Sequence, residues 1–172
     1  MRAPWWPTIL GLEGLDLTND PVDPGRRTYM GISERYQPRW IGWSQIDAGD
    51  WYIATASAYQ WYFERWHYLC CPDFTHEGLA MKLFDQSVLF GVSRPVKWLQ
   101  EALATLTIAT IPIDGLIGPR TLATIALLKP SGAQAAQVLM GHDAANLHLA
   151  NDAGPRSKYL AGHLIRAGRI YS

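Results

Sequence analysis

Two carboxylates ten residues apart carry the first chemical suggestion in this chain. Glu13 lies in Ile9-Leu10-Gly11-Leu12-Glu13-Gly14-Leu15, among apolar residues and glycines, and Asp23 lies in the turn-forming run Asn19-Asp20-Pro21-Val22-Asp23-Pro24-Gly25. A carboxyl group among apolar neighbours favours its protonated form and suits a general acid, whereas one in a loop can be kept ionised by backbone amides. Such a pair suits glycosidic bond cleavage: one group protonates the leaving oxygen, and the other handles water or positive charge. Asp20 competes for the second role and otherwise counts as a substrate-binding candidate. Thr28 offers a hydroxyl that could hold a water. Tyr29, Trp40 and Trp43 follow closely, and their ring faces could carry sugar rings. Trp40 and Trp43 fall in a loop-like segment. Trp51, Trp61, Trp66 and Trp98 fall in helical segments and read as core.

The elements that must position these groups are mostly helical. Residues 1–16 read as a short helix with Pro7 in its first turn. Thr28–Ile32 reads as one or two short strands, with Ser33 capping a helical turn before Pro38. A long aromatic helix is expected across roughly 50–70, capped by Asp50, and another from about Thr75 to Phe90, ended by Gly91. In the latter, Leu79, Leu83, Phe84 and Val88 fit one apolar face. Ser93 reads as the cap of a helix carrying Val96, Leu99 and Leu103. Ile113–Pro119 is a turn feeding a helix with Pro119 in its first turn, Lys129-Pro130 breaks that helix, and Ser131 starts the next, to about Asn151. Gly154-Pro155 precedes a basic terminal helix. The fold class is therefore mainly α with a small β element near the N-terminus.

Composition narrows the function. The chain has 172 residues, 48% hydrophobic and 17% charged, enough apolar material for a core. Fifteen basic residues balance fifteen acidic ones, which argues against a nucleic-acid binder. The charge is uneven: residues 1–90 hold seven basic and eleven acidic residues, and residues 91–172 hold eight and four. No apolar run reaches the roughly 18–20 residues of a membrane helix, so stable membrane insertion is not expected. Pro7 and Glu13 interrupt any signal-peptide core, and synthesis in a cytoplasm without such a signal is the expectation. Cys70 and Cys71 are adjacent, a poor geometry for a disulfide, and read as reduced thiols.

The motifs together resemble glycoside hydrolase family 108. Leu12-Glu13-Gly14, Asn19–Gly25 and Thr28-Tyr29-Met30-Gly31-Ile32-Ser33 follow that family's signature, E-G-G…N-D-P-x-D-x-G-G-x-T-x-x-G-I. Phe84-Asp85-Gln86-Ser87-Val88 is similar to its F-D-x-x-V-N-x-G segment. Val96–Gln100 and Asp114–Leu122 are similar to the predicted peptidoglycan-binding region that accompanies it. The resemblance implies a lysozyme-like, two-lobed helical fold, with a catalytic lobe at 1–91 and a helical lobe at 92–172 integrated into one domain. It implies an N-acetylmuramidase, often a phage endolysin, acting on peptidoglycan glycan strands without cofactor or metal. Glu13 corresponds to the motif's general acid, and Asp23 and Thr28 to its D and T. The implied setting is synthesis in the cytoplasm of a bacterial host, a holin-type permeabilising partner for export, and action on the wall in the periplasm. Four positions depart from the pattern: Leu15 and Arg26 replace glycines, Leu89 replaces an asparagine, and His163 replaces a tryptophan. A glycine lost where positive φ is needed would alter a loop.

Three other readings compete. His67, Cys70, Cys71, Asp73 and His76 are residue types that bind zinc, but adjacent cysteines do not give a regular structural-zinc spacing. A Cys/His nucleophile would need an activating base close in space. A non-catalytic or degenerate wall-binding module would rely on the basic C-terminal half and the Asp114–Leu122 segment alone.

Overall fold

A computed structural model of the chain describes residues 5–20, 26–151 and 157–172. It is mainly helical with one small antiparallel sheet near the N-terminus, as the sequence predicts. Two compact units form, residues 1–66 and 67–172.

In the first unit α1 (Trp6–Glu13) is followed by β1 (Leu17–Thr18), β2 (Thr28–Tyr29) and β3 (Ile32–Ser33), then α2 (Gly42–Asp47) and α3 (Trp51–Tyr68). The strands lie in the order β1-β2-β3, with Leu17 opposite Tyr29 and Tyr29 opposite Ile32. The core is aromatic. Trp5 stacks on Tyr59 at 5.4 Å, Trp6 meets the same ring edge-on at 4.9 Å, and Tyr62 and Trp66 close the cluster. Burying rings of this size fixes α1 against α3; truncating one typically costs about 3–5 kcal/mol.

The second unit is built around α4 (Glu77–Phe90), whose residues Gly78–Ser87 are all buried. A helix buried on every side is an interior helix, wider in its contacts than the single apolar face expected. It packs on α5 (Ser93–Leu106) and α7 (Pro130–Asn151), while α6 (Pro119–Ala126) leans on α5 and α8 (Ser157–Ala167) on α7. Among the described residues no helix is long and apolar enough to cross a membrane.

Several expected boundaries move. The first helix ends at Glu13, not residue 16, because Gly14 turns to φ +68° and its N–H closes on Leu10 O. Ser33 belongs to β3 rather than capping a helix. Ser93 is already helical, with Val92 as the flanking residue, and α7 begins at Pro130 rather than Ser131. Trp43 lies on α2 and is buried, while Trp51, expected in the core, is 47% exposed.

Candidate active site

Glu13 is the last residue of α1, half-buried, with the helix in front of it anchored by Trp5, Trp6 and Ile9. What it rests on is set by the hairpin. Met30 and Gly31 join β2 to β3 with φ of +49° and +75°, the pairing of positive angles that matches strand twist in a two-residue turn. A Cβ on Gly31 would lie 2.5 Å from Glu13 Oε2 and 2.8 Å from Tyr62 Oη, so the bare α-carbon admits both groups. Tyr62, fully buried on α3, donates to Met30 O at 2.5 Å and locks that turn in place. Helix end, hairpin turn and α3 thus converge on one carboxylate.

The remaining candidates separate by environment. Asp23 lies outside the described residues. Asp20 is half-buried. Thr28 heads β2, and its Oγ1 is buried with no hydrogen-bond partner among the described residues. Tyr29 is 2% and Trp43 5% exposed, so both rings pack in the core. Trp43 Nε1 donates to Gln37 O at 2.8 Å. Trp40 is half-buried and stacked beside Tyr29 at 6.3 Å.

Arg27 was not singled out in the sequence, yet it ties the hairpin to its surroundings. Its guanidinium binds Glu34 at 2.7 Å and also pairs with Asp47 of α2, and lies 5.3 Å from the centre of the Trp43 ring. Hydrogen bonding to Arg27 holds the Glu34 and Asp47 carboxyls below their ordinary range. The sequence signal was available only as an arginine next to the motif threonine.

Two departures from the family pattern have visible consequences. Arg26 stands at φ +62°, so a glycine there would have served a conformational purpose, and arginine adopts the same left-handed backbone. Leu15, by contrast, has no positive φ and is exposed. His163 on α8 stacks on His148 at 4.3 Å, an aromatic contact in the position of the family's tryptophan.

In the second unit the motif segments bind one another. Asp85 and Arg166 form a buried ion pair. Gln100, fully buried, donates to Asp114 Oδ1 at 2.9 Å and Leu116 O at 3.0 Å, and accepts from Gly115 N–H at 2.9 Å. Asp114 also accepts from Leu116 N–H, and its carboxyl is held low, first by Gln100. The polar groups of this turn therefore shape the turn itself. Of the residues weighed for zinc, Cys71 is buried with Sγ directed at Ala80 O, and His76 bonds Leu128 O at 2.9 Å. Burial raises the Cys71 thiol well above its usual range, the reverse of an activated nucleophile.

The carboxylate that the first unit presents is thus a half-buried glutamate at a helix end, set against a hairpin turn. The chain belongs to the glycosyl hydrolase 108 family, whose model matches residues 6–91, half of the sequence. Its class is therefore that of a glycoside hydrolase, and membership supports a cell-wall hydrolase. The fold is similar to a solved structure of SagA from Brucella abortus, with a TM-score of 0.68 at 21% identity, covering 95% of this chain and 91% of that one. No curated protein matches the chain.

Proposed function

We propose that the chain is an N-acetylmuramidase, hydrolysing the β-1,4 bond from N-acetylmuramic acid to N-acetylglucosamine in peptidoglycan. The observation that carries this reading is the placement of Glu13: half-buried, on a rigid helix end, against the Gly31 backbone and the Tyr62 hydroxyl. Glu13 protonates the glycosidic oxygen as it leaves. Asp23 positions water as base or stabilises the oxocarbenium-like transition state, and the Thr28 hydroxyl assists that water. The buried Thr28 Oγ1, without a partner among the described residues, supports such a role, since a buried hydroxyl normally finds one. The chemistry needs only these protein groups and water.

The setting we propose is that of a phage endolysin. The enzyme is made in the host cytoplasm, passes the membrane with a holin-type partner, and degrades the wall from the periplasm in host lysis. In this reading residues 1–91 carry the catalytic motifs and residues 92–172 the helices that accompany them.

The test is reducing-end release from purified peptidoglycan, with products identified by mass, for wild type beside Glu13→Gln. Products ending in N-acetylmuramic acid that vanish in the variant are expected. Binding to sacculi without any release by the wild type would instead favour a wall-binding module, and activity surviving the substitution would move the acid elsewhere.

A further inference from the structure

We propose that Trp51 is a stacking platform for a sugar ring of the glycan strand, at a distance from the bond cleaved at Glu13; this rests on the reading of the chain as a glycan hydrolase. Tyr29 and Trp43 are core, whereas Trp51, the first residue of α3, leaves 47% of its surface in water. An indole exposed to this degree is poorly explained by the core of the unit, which is completed without it.

Its position is nevertheless fixed. The Tyr29 ring lies 5.9 Å from the Trp51 ring at an angle of 56°, and is itself stacked beside Trp40. Thr55 Oγ1 donates to Trp51 O at 2.9 Å, so its single proton is used and its oxygen accepts from the Tyr29 hydroxyl at 2.8 Å. This short relay holds the Trp51 backbone and the Tyr29 ring against which the indole packs. An aromatic face ordered before binding loses little freedom when a ligand stacks on it.

The platform adjoins the candidate site through the hairpin, since the Tyr29 ring that it touches lies two residues before Gly31, against which Glu13 rests. Trp51, Thr55, Ala58 and Tyr62 follow the spacing that places residues on the same side of a helix, and Ala58 and Tyr62 are fully buried. Tyr62 stands beside Glu13 at Gly31, and Trp51 lies about 16 Å further along the axis. That span calls for a polymeric ligand: a ring stacked on Trp51 and a bond at Glu13 belong to one strand several sugars long. The exposed carboxylate of Asp50, next in sequence, can accept from sugar hydroxyls.

The experiment compares Glu13→Gln with Glu13→Gln/Trp51→Ala for binding to purified peptidoglycan strands of graded length, with Tyr52→Ala in the same background as the exposed-aromatic control. Loss of the platform is expected to weaken binding of long strands about tenfold and to leave disaccharide units unaffected, with Trp51→Phe recovering part of the loss. In the active enzyme the same substitution raises KM on long strands with kcat retained. Equal binding by the two chains at every length, or equal losses with Tyr52→Ala, overturns the platform. If the wild type cleaves nothing but binding still depends on Trp51, the platform stands and the hydrolase reading falls; if strands are neither cleaved nor bound, both fall.

Discussion

Asp85 and Arg166 stand 81 residues apart in sequence and meet in the second unit, with Arg166 Nη2 at 2.6 Å and Nε at 2.8 Å from the same carboxylate oxygen. The aspartate comes from the motif on α4 and the arginine from the basic terminal helix, so two signature segments are each other's partner. Both are largely out of water, with the Asp85 side chain 1% exposed. Burial, reinforced by this carboxylate, also raises the Tyr171 phenol above its usual range.

Removing one member of this pair strands the other as a buried charge. Arg166→Met is expected to lower unfolding stability by about 3–5 kcal/mol in urea titration. The double variant Asp85→Leu/Arg166→Met is expected to lose less than the single one, because no charge is left uncompensated. A double variant less stable than Arg166→Met would mean the pair contributes more than its desolvation costs.

Gly31→Ala tests the seat of the general acid. The added methyl meets Glu13 Oε2 and Tyr62 Oη at a backbone φ of +75°. Stability is expected to fall by about 1 kcal/mol from backbone strain. Activity is expected to fall far more, on the order of a hundredfold in kcat/KM, because a displacement of about 1 Å misaligns the proton donor. Circular dichroism beside kinetics separates the two effects.

Arg26→Gly should act in the opposite direction on stability. Arg26 is exposed and held at φ +62°, a conformation costing an L-residue about 1–2 kcal/mol. Glycine removes that strain, offset in part by a freer unfolded chain, for a net gain of up to about 1 kcal/mol in the denaturation midpoint analysis.

Lys82 gives a pH signature. It is fully buried, donates to Ala167 O at 2.6 Å and Arg169 O at 2.8 Å, and desolvation pushes its pKa down to about 8. Below about pH 8 both folded and unfolded chains hold the proton, and the burial cost is borne in full. Between about 8 and 10.5 the unfolded chain holds more protons, so this group makes stability rise with pH, by at most about 1.4 kcal/mol per unit. The difference between wild type and Lys82→Met, measured by denaturation across that window, should climb. A flat difference would place the ammonium in a better-solvated site.

The sequence was most legible where local chemistry decides. Gly91 was read as the end of α4 and Pro119 as the start of α6, whereas the Gly14 end of α1 and the Gly31 turn were passed over. The motif glutamate was found because its neighbours are apolar and its spacing matches a signature. Burial was less legible. Lys82, Asp85 and Gln86 give α4 a polar stripe that reads as a solvent face, and only partners more than fifty residues away turn it inward. Two tryptophans show the same limit: helical position alone made Trp51 core, yet it stands half in water, and loop position left Trp43 open to either reading, yet it is buried. β1 was missed because two residues, Leu17 and Thr18, carry no periodicity to read.

The fastening of α4 also has a bearing on biosynthesis. Lys82 finds its acceptors at Ala167 and Arg169, Gln137 exchanges two hydrogen bonds with the Tyr171 backbone, and Gly78 leaves room for the Tyr171 carbonyl. These acceptors follow Lys82 by 85 and 87 residues, so during vectorial translation they emerge from the ribosome well after α4. Until they do, the Lys82 ammonium stays in water and the central helix of the second unit is not fully fastened. Ribosome-stalled chains halted before residue 167 should therefore remain protease-sensitive at α4.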